Sequence, residues 1–137
     1  MTTERAFVAL GSNIGDRAAH LAHARARLAA LPGTRLVAES RVEETQPIGP
    51  VAQGPYLNQM VLLETSLRPA EFLRQCRAIE AERGRERRER WGPRTLDLDI
   101  VRYGAQTVRE ADLTIPHPEL PNRRFWQREI EEIETNV

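Results

Sequence analysis

The sequence predicts an α+β fold, a βαββαβ sheet with helices packed on one face, followed by a small hairpin. Three observations predict it. Apolar residues recur at helical spacing in two separate stretches, Leu21, Ala24, Leu28 and Leu31, then Phe72, Leu73, Cys76 and Ile79. Apolar strand-like runs lie before, between and after these stretches. The chain has 137 residues, 40% of them hydrophobic, enough for one core that buries roughly two-thirds of the unfolded surface. Residues 1–137 are therefore expected to form a single domain.

The elements follow in order. Residues 6–10 are an apolar run closed by Gly11-Ser-Asn-Ile-Gly-Asp16, a buried strand entering a loop. Asp16 is placed to cap a helix over 17–31, which Pro32-Gly33 stops. Residues 36–44 alternate loosely and predict one strand. Gln46-Pro-Ile-Gly-Pro-Val-Ala-Gln-Gly-Pro55 holds three prolines and two glycines and predicts a loop. Residues 56–65 read as a strand, and Pro69 opens a second helix that Gly84 ends. An arginine-rich loop runs to Thr95, a strand covers 96–103, and a hairpin is expected around 108–113. Residues 119–134 read as partly helical. The order is that of a ferredoxin-like sheet.

Composition excludes several classes. No apolar run approaches the ~20 residues of a membrane-spanning helix. The N-terminus leads into the first strand without a basic start or an apolar leader, so a cytoplasmic protein is expected. One cysteine, Cys76, supports neither a disulfide nor a cysteine-rich zinc site, and its place on the apolar stripe of the second helix predicts a core residue. Twenty basic and twenty acidic residues cancel, so nothing draws the whole molecule to nucleic acid or lipid. All the basic residues are arginine, and Arg83, Arg85, Arg87, Arg88, Arg90 and Arg94 crowd one stretch that holds only Glu86 and Glu89 as counter-charges. The tail, with Glu129, Glu131, Glu132 and Glu134, is acidic.

Asp97 and Asp99 are one residue apart on a predicted strand, so both carboxylates project from one face while Leu96, Leu98 and Ile100 project from the other. Their Cα atoms lie about 6.5 Å apart, close enough to bridge hard cations, and magnesium needs only one or two protein carboxylates when substrate phosphates supply the rest. Alone, such a pair reads more readily as the wet side of a strand. The arginines upstream change its meaning, because clustered guanidinium groups repel unless a polyphosphate joins them. Tyr56 and Asn58 form another same-face pair, an aromatic ring beside an amide, suited to a flat heterocycle. Phe125 is a candidate second ring. His117, between two prolines, is expected to be exposed and able to donate to a phosphate oxygen. His20 and His23 read as surface residues, and the absence of lysine excludes a Walker phosphate loop.

Four segments, Ala9-Leu-Gly-Ser-Asn-Ile-Gly-Asp16, Tyr56-Leu-Asn-Gln-Met-Val61, Arg90-Trp-Gly-Pro-Arg-Thr-Leu-Asp-Leu-Asp-Ile100 and Leu113-Thr-Ile-Pro-His-Pro118, together resemble the 6-hydroxymethyl-7,8-dihydropterin pyrophosphokinases of folate biosynthesis. The resemblance implies transfer of pyrophosphate from ATP to the hydroxymethyl group of the pterin, with AMP as the other product, on a ferredoxin-like fold with two Mg2+ ions. By position it implies Asp97 and Asp99 as ligands of both ions. Arg85, Arg87 or Arg88, Arg94, His117 and Arg123 become phosphate contacts, and Trp91 part of the loop over ATP. Glu80, Ile100 and Thr114 fall at the nucleoside. The pterin would lie between Tyr56 and Phe125, bonded to Asn58 and to backbone at Thr45, Ile48 and Gly49. Arg77 departs from the glutamine of a familiar member, and the segment after Phe125 departs from the usual apolar, proline-containing continuation. The expected partners are small molecules alone, with a monomeric chain. Two other readings compete: a two-metal phosphohydrolase, which needs no Tyr56, Asn58 and Phe125 clamp, and an RNA-binding module, disfavoured by only seven aromatic residues and no aromatic-rich strand.

Overall fold

The computed structural model describes residues 2–47, 49–50, 52–84 and 95–137. In chain order the elements are β1 (Glu4–Ser12), α1 (Arg17–Ala29), β2 (Thr34–Glu39), β3 (Glu43–Thr45), β4 (Tyr56–Thr65), α2 (Pro69–Glu82), β5 (Asp97–Tyr103), β6 (Val108–Glu110), β7 (Leu113–Ile115), a 3-10 turn (Leu120–Asn122) and α3 (Arg124–Asn136). The main sheet runs β2-β4-β1-β5 with every pair antiparallel, and β3 also pairs with β4. The small hairpin pairs β6 with β7. This is an α+β architecture, as the sequence predicts.

The local signals act where they were read. The Asp16 carboxylate accepts the Ala19 N–H at 3.1 Å and caps α1, and Pro69 starts α2. Gly84 follows the end of α2 with φ +76°, a conformation that suits glycine. Cys76 is fully buried, and burial pushes its thiol pKa up, so it is an inert core residue. His20 and His23 are partly buried. They join the two helices, His20 Nδ1 accepting from Arg83 Nε at 2.9 Å and His23 Nε2 meeting Glu82 Oε1 at 2.8 Å.

Two expectations are corrected. The single strand over 36–44 is two strands, because Ser40 interrupts it. Its hydroxyl takes the Met60 N–H at 2.9 Å while its own N–H donates to the Met60 carbonyl, so side chain and backbone together occupy the partner strand at one point. The tail is partly helical, as expected: after the 3-10 turn, α3 sets Trp126, Ile130 and Ile133 on one buried face, with the charges mostly opposite. The helices are not confined to one face of the sheet. Ala6, Val8 and Leu10 pack with Leu21, Ala24 and Leu28 of α1 and Phe72, Cys76 and Ile79 of α2. Phe7, Ala9, Met60, Leu62 and Val101 pack with Trp126, Ile130 and Ile133 of α3. The central strands are apolar on both faces, so each face needs a cover, and each large side chain so buried contributes about 1.5–3 kcal/mol.

Glu129 is the exception on α3. It is 2% exposed, and among the described residues no donor reaches either of its carboxylate oxygens. Burial, then the Glu43 carboxyl beside it, push its pKa up from 4.5 to about 9, against the opposing pull of Arg128. The folded protein therefore keeps a proton that the unfolded chain gives up. Stability from this group is greatest below the ordinary glutamate range and falls as pH rises toward 9. Thermal unfolding followed by circular dichroism is expected to show Tm decreasing from about pH 5 to about pH 9, and Glu129→Gln is expected to flatten that slope and raise Tm at its alkaline end. An equal slope in the variant would mean that Glu129 is ionised in the fold.

Candidate active site

Register assembles the site. Gly11 of β1 stands opposite Asn58 on β4 and opposite Asp97 on β5. Two residues back, Ala9 stands between Met60 and Asp99. Asn58, Gly11 and Asp97 thus form one row across three strands. Side chains of a row share a face, and neighbouring strands are about 4.8 Å apart, so the amide and the carboxylate stand roughly 10 Å apart over a glycine. A Cβ on Gly11 would lie 3.3 Å from Asn58 Oδ1 and 3.5 Å from Tyr56 Cδ2. Glycine at this point puts no side chain between the Asn58 amide and the Asp97 carboxylate. This face is the α3 side of the sheet, while Leu96 and Leu98 are buried in the opposite core.

The second wall comes from the chain between β7 and α3. His117 donates its N–H to the Val101 carbonyl at 2.9 Å, and its Nδ1 accepts the Glu119 N–H at 3.0 Å. The ring proton is therefore on Nε2, which faces Asp99 Oδ1 at 3.7 Å. Trp126 supports this corner from α3, edge-on to the His117 ring at 4.9 Å and 4.4 Å beneath the Arg123 guanidinium. The expectation of an exposed His117 is corrected: it is half-buried between Trp126 and Asp99. Burial acts to raise the Asp99 pKa, but His117 and the guanidinium groups of Arg123 and Arg77 outweigh it and hold the carboxyl below the ordinary aspartate value. Asp99 is thus an anion at neutral pH. Among the described residues Arg123 Nε is buried without a hydrogen-bond partner, a donor left for an acceptor.

The remaining residues divide clearly. Asn58 is 7% exposed and donates its amide N–H to Thr45 Oγ1, so Thr45, Asn58 and Tyr56 gather where β3 meets β4. Gly49 is exposed, with φ +105°. Phe125 is half-buried at the start of α3, its ring 6.2 Å from that of Trp126. Thr114 is exposed on β7, whereas the Ile100 side chain is 4% exposed in the core, leaving only its backbone to meet a ligand. Glu80 is 1% exposed, and its carboxylate accepts the Leu98 N–H at 2.7 Å. Ile48, Arg85, Arg87, Arg88, Trp91 and Arg94 lie outside the described residues.

Two contributors were not singled out from sequence. Trp126 read as part of the departing tail, and its spacing to Ile130 and Ile133 was the available signal. Thr95 Oγ1, two residues before Asp97, is buried without a partner among the described residues; nothing in the sequence distinguishes it from a loop threonine. A divalent cation fits the acidic pair, since at least Asp99 is held anionic and the two carboxylates share a face. Among the described residues no set of three or more His, Cys, Asp or Glu side chains forms a metal cage. A pair alone suits magnesium, which keeps water and takes phosphate oxygens for its other positions.

The comparisons agree with this geometry. Residues 7–135 match the model of the 7,8-dihydro-6-hydroxymethylpterin-pyrophosphokinase family. The chain belongs to this family. It is 46% identical over 121 residues to the 2-amino-4-hydroxy-6-hydroxymethyldihydropteridine pyrophosphokinase of Methylorubrum extorquens, a match covering 88% of this chain and 77% of that protein. Its likeness to the enzyme of the same name from Bacillus subtilis is 41% over 128 residues, 93% of this chain and 77% of the relative. With the Haemophilus influenzae enzyme it is 42% over 120 residues, 88% and 75%. The pyrophosphokinase match runs through α3, so the acidic tail is part of the family's region rather than an appendage.

Gly11→Ala is expected to displace the Asn58 side chain from Thr45 and to destabilise the fold by about 1–3 kcal/mol through overpacking. In NMR spectra the Asn58 side-chain amide signals should move while those of α1 stay in place. Unchanged Asn58 signals would mean that the row has room to spare.

Proposed function

We propose that the row Asn58, Gly11, Asp97 is the substrate floor of a pyrophosphokinase, which transfers the β,γ-pyrophosphoryl group of ATP to the hydroxymethyl oxygen of 6-hydroxymethyl-7,8-dihydropterin and releases AMP. The single observation that carries this assignment is the register that sets the amide and the acidic pair on one face. Tyr56 and Phe125 are the stacking faces for the pterin, and Asn58, with backbone at Thr45, Ile48 and Gly49, bonds its edge. Asn58 has an amide oxygen and a second amide N–H besides the bond to Thr45, which suits the mixed donors and acceptors of a pterin edge. Asp97 and Asp99 would hold two magnesium ions, which would offset phosphate charge and orient the triphosphate.

In the reaction the hydroxymethyl oxygen forms a bond to the β-phosphorus, the bond from that phosphorus to the oxygen bridging to the α-phosphate breaks, and the hydroxyl proton leaves. Positioning supplies most of the rate. Arg123, through its unsatisfied Nε, and His117, through Nε2–H, are donors to phosphate oxygens at the acidic corner, and Trp126 holds both at their stations. Arg85, Arg87 or Arg88, and Arg94 add guanidinium groups to the triphosphate, with Trp91 beside them; Glu80, Ile100 and Thr114 belong to the nucleoside end. The sheet order is consistent with the ferredoxin-like type, and the single family match over residues 7–135 supports one domain. The chain is read as a cytoplasmic monomer.

Incubation with ATP, magnesium and the hydroxymethyl pterin is expected to yield AMP and pterin diphosphate in equal amounts. Asp97→Ala should lower kcat/KM by roughly two orders of magnitude or more. Asn58→Ala should chiefly raise the KM for the pterin. Magnesium-dependent ATP consumption that ignores both the pterin and Asn58→Ala would replace this reading with a phosphohydrolase.

A further inference from the structure

We propose that Arg77 is a positioning residue, which together with Glu80 takes the place of a missing strand along β5 and so sets the stance of the two acidic side chains. β5 ends the path β2-β4-β1-β5, so among the described residues one side of its backbone has no strand partner. Leu98 lies between Asp97 and Asp99, and its peptide groups on that side need partners. Its N–H donates to Glu80 Oε2 at 2.7 Å. Its carbonyl accepts from Arg77 Nη1 at 3.1 Å, and the same Nη1 donates to Glu80 Oε1 at 2.9 Å. One acceptor and one donor from a single turn of α2 therefore make the two bonds that a neighbouring strand would make.

The chemistry explains why both residues are needed. Glu80 is 1% exposed, and a buried carboxylate requires a charge partner, which Arg77 supplies from a half-exposed position. Gripping the N–H and the carbonyl of one residue fixes the direction of the strand on both sides of it. On a strand, a rotation at Leu98 is passed directly to Asp97 and Asp99. Arg77 is also close enough to lower the Asp99 pKa. It thereby links α2, in the opposite core, to the acidic face. Its part is played through the backbone, at the Leu98 carbonyl. The inference rests on the proposed role of Asp97 and Asp99.

The test has a direct readout that needs neither substrate nor metal. Amide hydrogen exchange in the free protein should show Leu98 protected, and Arg77→Met should speed exchange at Leu98 by roughly tenfold while the amides of β4 keep their protection. In the same variant, Mn2+ binding in the presence of a non-hydrolysable ATP analogue, read by electron paramagnetic resonance, should weaken several-fold. The KM for the pterin should hold while kcat falls. Arg77→Lys, which keeps a charged donor, should restore part of the Leu98 protection. If Arg77→Met does not fold, Arg77→Gln, with an amide donor but no charge, is expected to give an intermediate exchange rate. Unchanged Leu98 exchange, or faster exchange with undiminished Mn2+ affinity, would overturn the inference. Failure of the wild-type protein to form AMP would overturn the functional reading instead, and leave the exchange result standing.

Discussion

The pairing of β4, β1 and β5 is the constraint on which the rest of the structure depends. Because both neighbours of β1 are antiparallel to it, a residue of β1 has one partner on each side, and Gly11 has Asn58 and Asp97. A slip of one residue in either ladder would turn one of these side chains to the opposite face. What prevents the slip is that both faces are buried: Val8 and Leu10 belong to one core, Phe7 and Ala9 to the other. The hydrophobic alternation that stabilises the sheet therefore also selects which polar groups meet.

The helix after the hairpin completes what the sheet begins. α3 covers the second face with Trp126, Ile130 and Ile133, and in doing so brings the Trp126 ring against His117 and Arg123. One side chain thus serves the core with one edge and the site with the other. The electrostatic result is at Asp99, where burial alone would favour the neutral acid, but a protonated imidazole nitrogen and two guanidinium groups reverse the balance. A carboxylate held ionised in a half-buried corner is suited to cations. Guanidinium donors near it are suited to anions, and a metal–polyphosphate complex offers both.

Backbone groups near the acidic pair are tied on both sides. Toward the interior, Asp97 and Asp99 pair with β1, and toward the edge Leu98 is held by α2. His117 in turn is tied to the Val101 carbonyl. The side chains proposed to face substrate therefore rise from backbone fixed by the two cores, which is the arrangement that positioning chemistry requires.

Much of this was legible in the amino-acid order, for local reasons. Periodicity, Asp16 as a cap, Pro69 at a helix start and Gly84 at its end act over a few residues, and the Asp97-Leu-Asp99 and Tyr56-Leu-Asn58 alternations tell which side chains share a face of their own strand. Family-wide segments carried the chemistry. Local pattern does not contain the partners across strands, so it was tertiary pairing that put Asn58 opposite Gly11 and Gly11 opposite Asp97. The same holds for Ser40, whose hydroxyl breaks a strand only because Met60 is beside it, and for His117, which looked exposed between two prolines until Trp126 folded against it. The sequence by itself determined the elements, the sidedness of each strand and the kind of chemistry. The three-dimensional packing decided that helices cover both faces of the sheet, which side chains form the row proposed as the site, and which charges hold Asp99 ionised, because each of these depends on residues far apart in the chain meeting through buried surface.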